Sequence, residues 1–311
     1  MKIIECVPNF SEGRDQKIIR SIASVFKSFP NVRLADFSSD VDHHRSVFTF
    51  LGRPDDVLEA ALAACGRALE LIDMRNQLGV HPRLGAVDVV PFIPLEKAKM
   101  KDAVDMAHHF GQEFHKRFHV PIYYYGHAAL DDKRFALPDI RHGGYEGLEE
   151  KIARVEGKPD VGAVRFNARA GATVVGAREI LVAYNVNLDS DDLSLAKHIA
   201  SRIREKGGGL KHIRAIGLRL KERGLVQVSM NLTHCRETSL KTAFNRVREL
   251  AAEGGAGILE SELIGLVPRY AFAGATPGQL KLKDFDGSRL LETHIKALNR
   301  FAILYKDRLP C

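Results

Sequence analysis

The chain has 311 residues and a formal net charge of +7 at neutral pH. This length favours two domains, and a composition of 45% hydrophobic and 27% charged residues is typical of a globular protein. No window approaches the roughly 20 apolar residues of a membrane span, and no cleavable apolar leader is expected. The positive charge favours anionic partners, which include acidic metabolites, phosphates and nucleic acid.

The cysteines indicate a reducing compartment. They are widely spaced and contain no CxxC pair, so neither a disulfide framework nor a zinc site is predicted. We therefore expect reduced thiols, a cytoplasmic location and no bound metal. The four residues are Cys6, Cys65, Cys235 and Cys311.

The first part of the chain has the pattern β-α-β-β-α-β. Asp15 is suited to cap one helix, and Pro54 fits the first turn of another. Apolar residues at helical spacing follow both positions. The predicted elements are strand Lys2–Val7, helix Gln16–Phe29, strands Val32–Asp36 and Ser46–Leu51, a helix from Pro54 to about Met74, and strand Val87–Ile93.

The same order of elements returns near Ile180, although few residues are identical. A repeat of this kind predicts two similar ferredoxin-like β-α-β-β-α-β subdomains, and hence an α/β (α+β) fold. The predicted elements of the second copy are strands Ile180–Val186, Ile213–Leu220, Leu225–Leu232 and Leu259–Val267, and helices Leu193–Glu205 and Leu240–Ala252.

The remaining segments connect or follow the two copies. A helix over Leu95–Phe118 and a strand over Pro121–Tyr125 are predicted, and then a turn-rich connection up to Gly176. Ala273–Asp286 is rich in Gly, Pro and Lys and resembles a linker, and Arg289–Lys306 has helical spacing. We predict subdomains over residues 1–178 and 179–270, followed by a linker and C-terminal helix over residues 271–311.

His81 is the candidate proton-transfer residue. It lies in Gly79–Gly85, a turn stiffened by Pro82, where a helical pattern ends and a buried strand begins. A neutral imidazole exchanges a proton near neutral pH, which makes it a common general acid or base. A surface His-Pro turn remains the alternative, but these residues are extra relative to the second copy. An insertion on one copy of a duplicated fold favours a functional role.

A second group of candidates lies before the third strand. Carboxylates and imidazoles cluster there, but their spacing matches no zinc pattern, so substrate binding is the better interpretation. Asp40 or Asp42 is suited to a cationic group and Arg45 to a carboxylate. The predicted substrate-binding residues are Asp40, Asp42, His43 and Arg45, and His44 is a further imidazole at this turn.

Polar residues alternate with apolar ones along two strands of the second copy. Alternation places the polar side chains on one face of the sheet. That face is either solvated or, if helices cover the apolar face, lines a polar cleft. The predicted substrate-binding residues on this face are Asn185, Asn187, Gln227 and Asn231.

Four motifs follow one another along the chain, Glu5–Arg14, His81–Gly85, Gly171–Arg178 and Leu263–Pro268. Together they resemble the glutamate formimidoyltransferase family, which also forms the N-terminal half of formimidoyltransferase–cyclodeaminase. The resemblance implies two α/β subdomains whose sheets form a central cleft for folate. It also implies transfer of a formimidoyl group from N-formimidoyl-L-glutamate to tetrahydrofolate, the co-substrate, in histidine degradation. We expect a homodimer.

The resemblance places the catalytic histidine of the family on His81. Its folate-binding segment falls on Arg165, Asn167, Arg169, Ala170, Gly171, Ala172, Thr173 and Val174.

Two other functions remain open. One is a different folate-dependent one-carbon or amidine transferase of the same fold. The other is a non-catalytic RNA-binding protein with paired ferredoxin-like units, which the basic charge allows. RNA recognition on such sheets uses stacked aromatic side chains, whereas the rows here carry Asn, Gln and Ser. We therefore expect no nucleic acid and no membrane among its partners.

Overall fold

The computed structural model describes residues 1–79 and 81–306, with side chains described up to residue 300. Val80 and the predicted thiol of Cys311 lie outside the described residues. The chain divides into two compact units. The first contains Met1–Arg178 and the segment that begins at Ile295, and the second contains Glu179–His294.

The first unit has a seven-stranded mixed sheet. Its order is β3-β4-β1/β2-β5-β7-β6, with β5, β7 and β6 mutually parallel and the other pairs antiparallel. The strands are β1 (Ile4–Cys6), β2 (Asn9–Phe10), β3 (Val32–Asp40), β4 (Arg45–Gly52), β5 (Val87–Pro94), β6 (Ile122–Gly126) and β7 (Thr173–Ala177). The helices are α1 (Gln16–Ser24), α2 (Pro54–Leu71), α3 (Met100–Phe118), α4 (Leu137–Ile140) and α5 (Leu148–Ala153).

The helix starts follow from local chemistry. The side chain of Asp15 accepts hydrogen bonds from the backbone N–H groups of Lys17 and Ile18, which would otherwise lack helical partners. Pro54 occupies the first turn of α2, where a missing N–H costs nothing. Apolar faces of α1, α2 and α3 pack on the sheet in one core.

The turn-rich connection predicted up to Gly176 is wrong in its last part. Residues Thr173–Ala177 form β7, a fully buried strand inside the sheet. It pairs in parallel with both β5 and β6. Gly171 and Gly176 indicate turns, but Val174 and Val175 are β-branched and pair with strands on both sides, so the pairing determines the structure.

The second unit has a four-stranded antiparallel sheet in the order β11-β8-β10-β9. This is the order β5-β1-β4-β3 of the first unit, which confirms the duplicated ferredoxin-like pattern. The strands are β8 (Val182–Leu188), β9 (Ile213–Leu220), β10 (Leu225–Leu232) and β11 (Ile258–Ile264). The helices are α6 (Leu193–Ile203) and α7 (Leu240–Glu253), and α8 (Leu291–Lys306) begins in this unit and continues into the first.

Short 3-10 turns complete the secondary structure. They are Val25–Ser28, Met74–Asn76, Asp132–Arg134, Glu205–Gly207, Lys221–Arg223, Arg269–Phe272 and Gly287–Arg289.

The segment interpreted as a linker, Ala273–Asp286, packs on the core of the second unit. Leu280 is 1% exposed, and Leu282 forms a parallel bridge with Ser261 of β11. The segment is mostly Gly, Pro and Lys, but its few apolar residues are buried against the core and hold it there. In the described parts, 1–79 and 81–306, no helix is long and apolar enough to cross a membrane.

Candidate functional site

The β3–β4 hairpin turn carries all four residues of the first predicted substrate-binding group. Asp40 and Arg45 are opposite each other as the last pair of the hairpin. The backbone N–H of His43 (2.7 Å) and its ring Nδ1 (2.8 Å) both contact Oδ1 of Asp40. Burial raises the pKa of Asp40, but the hydrogen bonds from His43 outweigh it, and the pKa lies below its usual value. An ionised Asp40 therefore orients the ring of His43.

Two loops pack directly on this turn because each has a glycine at the contact. A Cβ atom on Gly13 would lie 2.1 Å from the carbonyl oxygen of Asp40. A Cβ atom on Gly79 would lie 2.7 Å from the carbonyl oxygen of His43. The backbone N–H of Gly13 also donates to Nδ1 of His44 over 3.1 Å. Only glycine permits so close an approach of two backbones.

Glu12 ties the first of these loops to the loop that contains His81. Its carboxylate is 4% exposed and accepts hydrogen bonds from the backbone N–H groups of Arg14 (2.8 Å) and Asp15 (3.0 Å). Its other oxygen accepts from Nε2 of Gln77, 3.2 Å away. Three separate segments of the chain therefore meet at one hairpin turn.

Arg45 is the centre of a buried charged cluster. Its Nη1 lies 3.0 Å from Oδ2 of Asp88 and 2.8 Å from Nδ1 of His81. Its Nε and Nη2 donate to Oδ1 of Asn9 over 2.8 and 2.5 Å. Arg141 donates to the same oxygen of Asp88 as Arg45 does. Burial and then the neighbouring Arg141 lower the pKa of Arg45 to about 10, so it stays charged at neutral pH.

His81 is held beside this cluster as a neutral imidazole. Burial is the largest cause, and the positive charges of Arg45 and Arg141 add to it, so that the pKa of His81 is lowered to about 2. The carbonyl oxygen of Pro82 lies 2.7 Å from the same Nδ1 that Arg45 contacts. A guanidinium only donates, so Arg45 favours the tautomer in which Nδ1 carries no proton. A carbonyl only accepts, so Pro82 favours the tautomer in which Nδ1 is protonated. In the tautomer that donates to Pro82, Nε2 is a free proton acceptor.

The rings of His43 and His81 are neighbours. Their centroids lie 5.9 Å apart in an edge-on arrangement. The structure therefore brings Asp40, His43, Arg45 and His81 together. Asp42 lies in the same turn and is half-buried.

Asn9, Asp88 and Arg141 are part of the cluster, and the sequence reasoning missed them. Asp88 is 1% exposed and also accepts the backbone N–H of Leu84 over 3.0 Å. A signal was present, because Asp88 is a single charge within the apolar run Val87–Ile93 of a buried strand. Such a charge requires a partner. Arg141 follows a short helix whose sequence indicates nothing beyond a solvated surface.

The predicted polar residues of the second unit form a network on one face of its sheet. Asn187 donates to Glu260 over 3.0 Å, and Asn185 to Glu262 over 3.3 Å. Gln227 donates to Asn187 (2.9 Å) and to Glu262 (2.8 Å). The alternate residues of these strands pack in the core with α6 and α7, so the polar face is the one that these helices do not cover. The fourth predicted residue, Asn231, is exposed at the far end of β10.

The segment assigned to folate is divided by the structure into an accessible and a buried part. Arg165 is exposed, Asn167 accepts the backbone N–H of Ala170 over 3.0 Å, and Arg169 donates to the carbonyl of Glu70 over 2.9 Å. The rest of the segment is buried at the start of β7 and comprises Ala170, Gly171, Ala172, Thr173 and Val174.

The buried part belongs to the sheet and to the turn that leads into it. Thr173 and Val174 are 0% exposed, and their strand pairs with a neighbour on each side. Gly171 has a positive φ of 70° and pairs with Gly85 in an isolated bridge. These residues form the sheet and the turn that leads into it.

Comparison with known proteins identifies the family. Residues 3–178 match the model of the formiminotransferase domain, N-terminal subdomain, and residues 183–284 match that of the formiminotransferase domain. A glutamate formimidoyltransferase of Streptococcus pyogenes serotype M1 is 40% identical over 94% of this chain and 99% of its own length. One of Thermoplasma acidophilum is 41% identical over 96% and 99%. The formimidoyltransferase-cyclodeaminase of Rattus norvegicus is 42% identical over 88% of this chain and 52% of its own length. The chain belongs to the formiminotransferase family.

Proposed function

We propose that the protein is a glutamate formimidoyltransferase, which transfers the formimidoyl group of N-formimidoyl-L-glutamate to tetrahydrofolate in histidine degradation. The names of the two full-length relatives support this reaction. The observation that carries it is the neutral imidazole of His81, held beside Arg45, Asp88 and Arg141. A proton carrier next to positively charged side chains suits a donor and an acceptor that both bear carboxylates.

The reaction needs one proton to move between two nitrogens. N5 of tetrahydrofolate forms a bond to the formimidoyl carbon, the proton leaves N5, and the bond from carbon to the glutamate nitrogen breaks as that nitrogen is protonated. His81 accepts this proton at Nε2 and returns it to the leaving nitrogen. Burial and the two neighbouring arginines disfavour the imidazolium, so the ring is neutral before the reaction and readily gives the proton up to the leaving nitrogen.

The other site residues bind and orient the two substrates. Arg45 and Arg141 together exceed the single charge of Asp88, which leaves a net positive site for a carboxylate of the donor. Asp40 is ionised and 47% exposed in its side chain, and it suits the cationic amidinium. In the second unit we assign substrate contacts to Asn185, Asn187, Gln227 and Asn231.

The folate acceptor is assigned to the accessible part of its predicted segment. Arg165, Asn167 and Arg169 hold the glutamate tail of tetrahydrofolate, and the buried residues behind them fix the backbone. A longer tail adds carboxylates, so it binds more tightly, and added salt weakens the gain.

The assay measures release of glutamate from N-formimidoyl-L-glutamate, with and without tetrahydrofolate. His81→Ala is expected to lower turnover by roughly 10²–10⁴-fold, with little change in folate affinity. The matched control is His109→Ala, an exposed histidine on α3, which should keep full turnover. Circular dichroism reports whether each variant is folded.

Retention of more than about a tenth of the turnover by a folded His81→Ala variant would remove His81 from the mechanism. His43, whose ring Asp40 orients, would then take the role. Absence of glutamate release by the wild type under all conditions would contradict the reaction itself and favour another amidine donor.

We further propose a cytoplasmic homodimer. Cys6, Cys65 and Cys235 are free buried thiols, which fits a reducing compartment. Light scattering during gel filtration measures the mass in solution, and a monomer at all concentrations would contradict the dimer.

A further inference from the structure

Two histidines and one glutamate of the second unit meet at the open end of the β9–β10 hairpin. His212 comes directly before β9 and His234 shortly after β10, and the register pairs Ile213 with Leu232. Nε2 of His212 lies 3.0 Å from Oε2 of Glu237, and Nδ1 of His234 lies 3.8 Å from Oε1 of the same carboxylate. The three donor atoms lie within 4.8 Å of one another.

The backbone around this cluster is fixed by its own hydrogen bonds. Thr233 donates to the carbonyl of His212 through both its backbone N–H (2.9 Å) and its hydroxyl (3.2 Å). The backbone N–H of His212 donates to Glu205 over 2.9 Å, and that of Glu237 to the carbonyl of His234 over 3.1 Å. The side chains therefore start from anchored positions, which lowers the entropy that a ligand must remove.

One ring nitrogen of the cluster is unsatisfied. Nδ1 of His234 is buried and has no hydrogen-bond partner among the described residues. The 3.8 Å to Glu237 is too long for a hydrogen bond. A buried polar atom without a partner is costly, and a group placed between the two side chains would satisfy it.

We propose that His212, His234 and Glu237 bind a divalent transition-metal ion of the zinc class. Ligand bonds of about 2.0–2.2 Å place donor atoms roughly 3–4 Å apart, which is close to the spacing observed. Two imidazoles and one carboxylate suit zinc, cobalt, nickel or copper and disfavour magnesium and calcium, which require oxygen ligands. Three protein ligands leave a fourth position for water.

Arg236, next to Glu237 in the sequence, is directed to another partner. The guanidinium of Arg236 lies over the ring of Tyr270, 4.0 Å from its centroid. A bound ion would connect the start of β9, the end of β10 and the turn before α7. It would therefore stabilise the fold of the second unit, and its ligands include no residue of the Arg45 cluster.

Cobalt(II) is the probe, since it substitutes for zinc and absorbs visible light when protein nitrogen atoms bind it. Titration of the purified chain with cobalt should give one equivalent with a visible spectrum, which zinc then abolishes. His234→Ala and Glu237→Gln should weaken binding by more than the roughly 10–100-fold that loss of an outer partner costs. Glu237→Gln keeps an oxygen acceptor for His212, so it should remain folded.

The control is His198→Ala, which removes an exposed histidine of the same unit. It should bind cobalt as the wild type does, and zinc should raise the Tm of both. The proposal is overturned if the wild type gives no cobalt spectrum. It is equally overturned if both ligand variants bind within about tenfold of the wild type, which is a difference of about 1.4 kcal/mol.

Discussion

Replacing Asp88 by Asn tests whether the buried charges of the first unit act as one network. Oδ2 of Asp88 accepts from both Arg45 and Arg141, and Oδ1 accepts the backbone N–H of Leu84. An asparagine has the same shape but only one acceptor oxygen. If that oxygen keeps the contact with Leu84, its NH₂ group faces two guanidiniums that also only donate. Both arginines then lose their counter-charge.

The expected cost follows from the burial of the three side chains. Removal of one partner of a buried ion pair costs about 3–5 kcal/mol, because the remaining charge is left uncompensated. The carboxylate is 1% exposed, whereas the side chains of Arg45 and Arg141 are 16% and 10% exposed. Water reaches the guanidiniums in part, so we expect a loss of about 3 kcal/mol, the lower end of that range.

Urea-induced unfolding followed by circular dichroism measures this loss. The matched control is Asp105→Asn on α3, whose carboxylate is 61% exposed and pairs with Lys101 over 2.8 Å. An exposed pair of this kind contributes about 0–1 kcal/mol. If Asp88→Asn changes the free energy of unfolding by no more than Asp105→Asn does, the three residues are not a coupled network. That result would also contradict the proposal that Arg45, Arg141 and Asp88 together form a net positive binding site.

Two further predictions concern the same region. Above pH 6.5 His81 is neutral in both the folded and the unfolded chain. Below pH 6.5 the imidazole of the unfolded chain takes up a proton, whereas that of the folded chain, with a pKa of about 2, stays neutral. Stability is therefore lost as pH falls, and between pH 7 and 5 the wild type should lose about 1 kcal/mol more than His81→Asn, after allowance for partial exposure. Equal losses in urea titrations of both would contradict the low pKa. Gly13→Ala should destabilise by about 1–3 kcal/mol, because its Cβ would lie 2.1 Å from the carbonyl oxygen of Asp40. Gly278→Ala, with no atom within 4 Å, is its control in thermal unfolding, and equal Tm values would refute the close contact.

The duplicated fold could be predicted because its signals are local. Strand β10 begins at Leu225 and ends at Leu232, as alternation predicts, and Asp15 and Pro54 mark the helix starts. Each of these signals lies within a few residues of the element it defines. Boundaries differ at helix ends, where Val25–Ser28 tightens into a 3-10 turn. They also differ at strand ends, since β3 continues to Asp40 rather than Asp36 and β11 ends at Ile264 rather than Val267.

Strand β7 could not be predicted, because its pairing joins distant parts of the chain. Val174 is opposite Val89 in β5 and Tyr123 in β6. A five-residue run that contains Gly176 and follows Gly171 resembles a turn unless both neighbouring strands are known. The burial of Leu280 could not be predicted for a related reason. A single apolar residue among glycines and lysines has no periodicity from which a buried face could be inferred.

The site could be predicted only where its residues are close in sequence or on a recognisable turn. Asp40, His43 and Arg45 share one hairpin, so their proximity follows from the chain itself. Asp88 and Arg141 reach the cluster through tertiary packing alone. The central cleft predicted for the two sheets stays a prediction. The low pKa of His81 could not be predicted either, because it depends on burial and on two arginines distant in sequence.

A difference in loop length between the two copies explains why the Arg45 cluster lies in the first. In the second unit the corresponding hairpin turn is Lys221–Gly224, a short 3-10 turn closed by a glycine with a φ of 64°. Its last helix and strand are joined by residues 254–257, whereas residues 72–86 join α2 to β5 in the first unit. That longer connection carries His81 and lets Gly79 pack on the hairpin. Both units have the same kind of sheet as a rigid support. The candidate site lies in the first unit, where the longer loop places an imidazole beside the sheet.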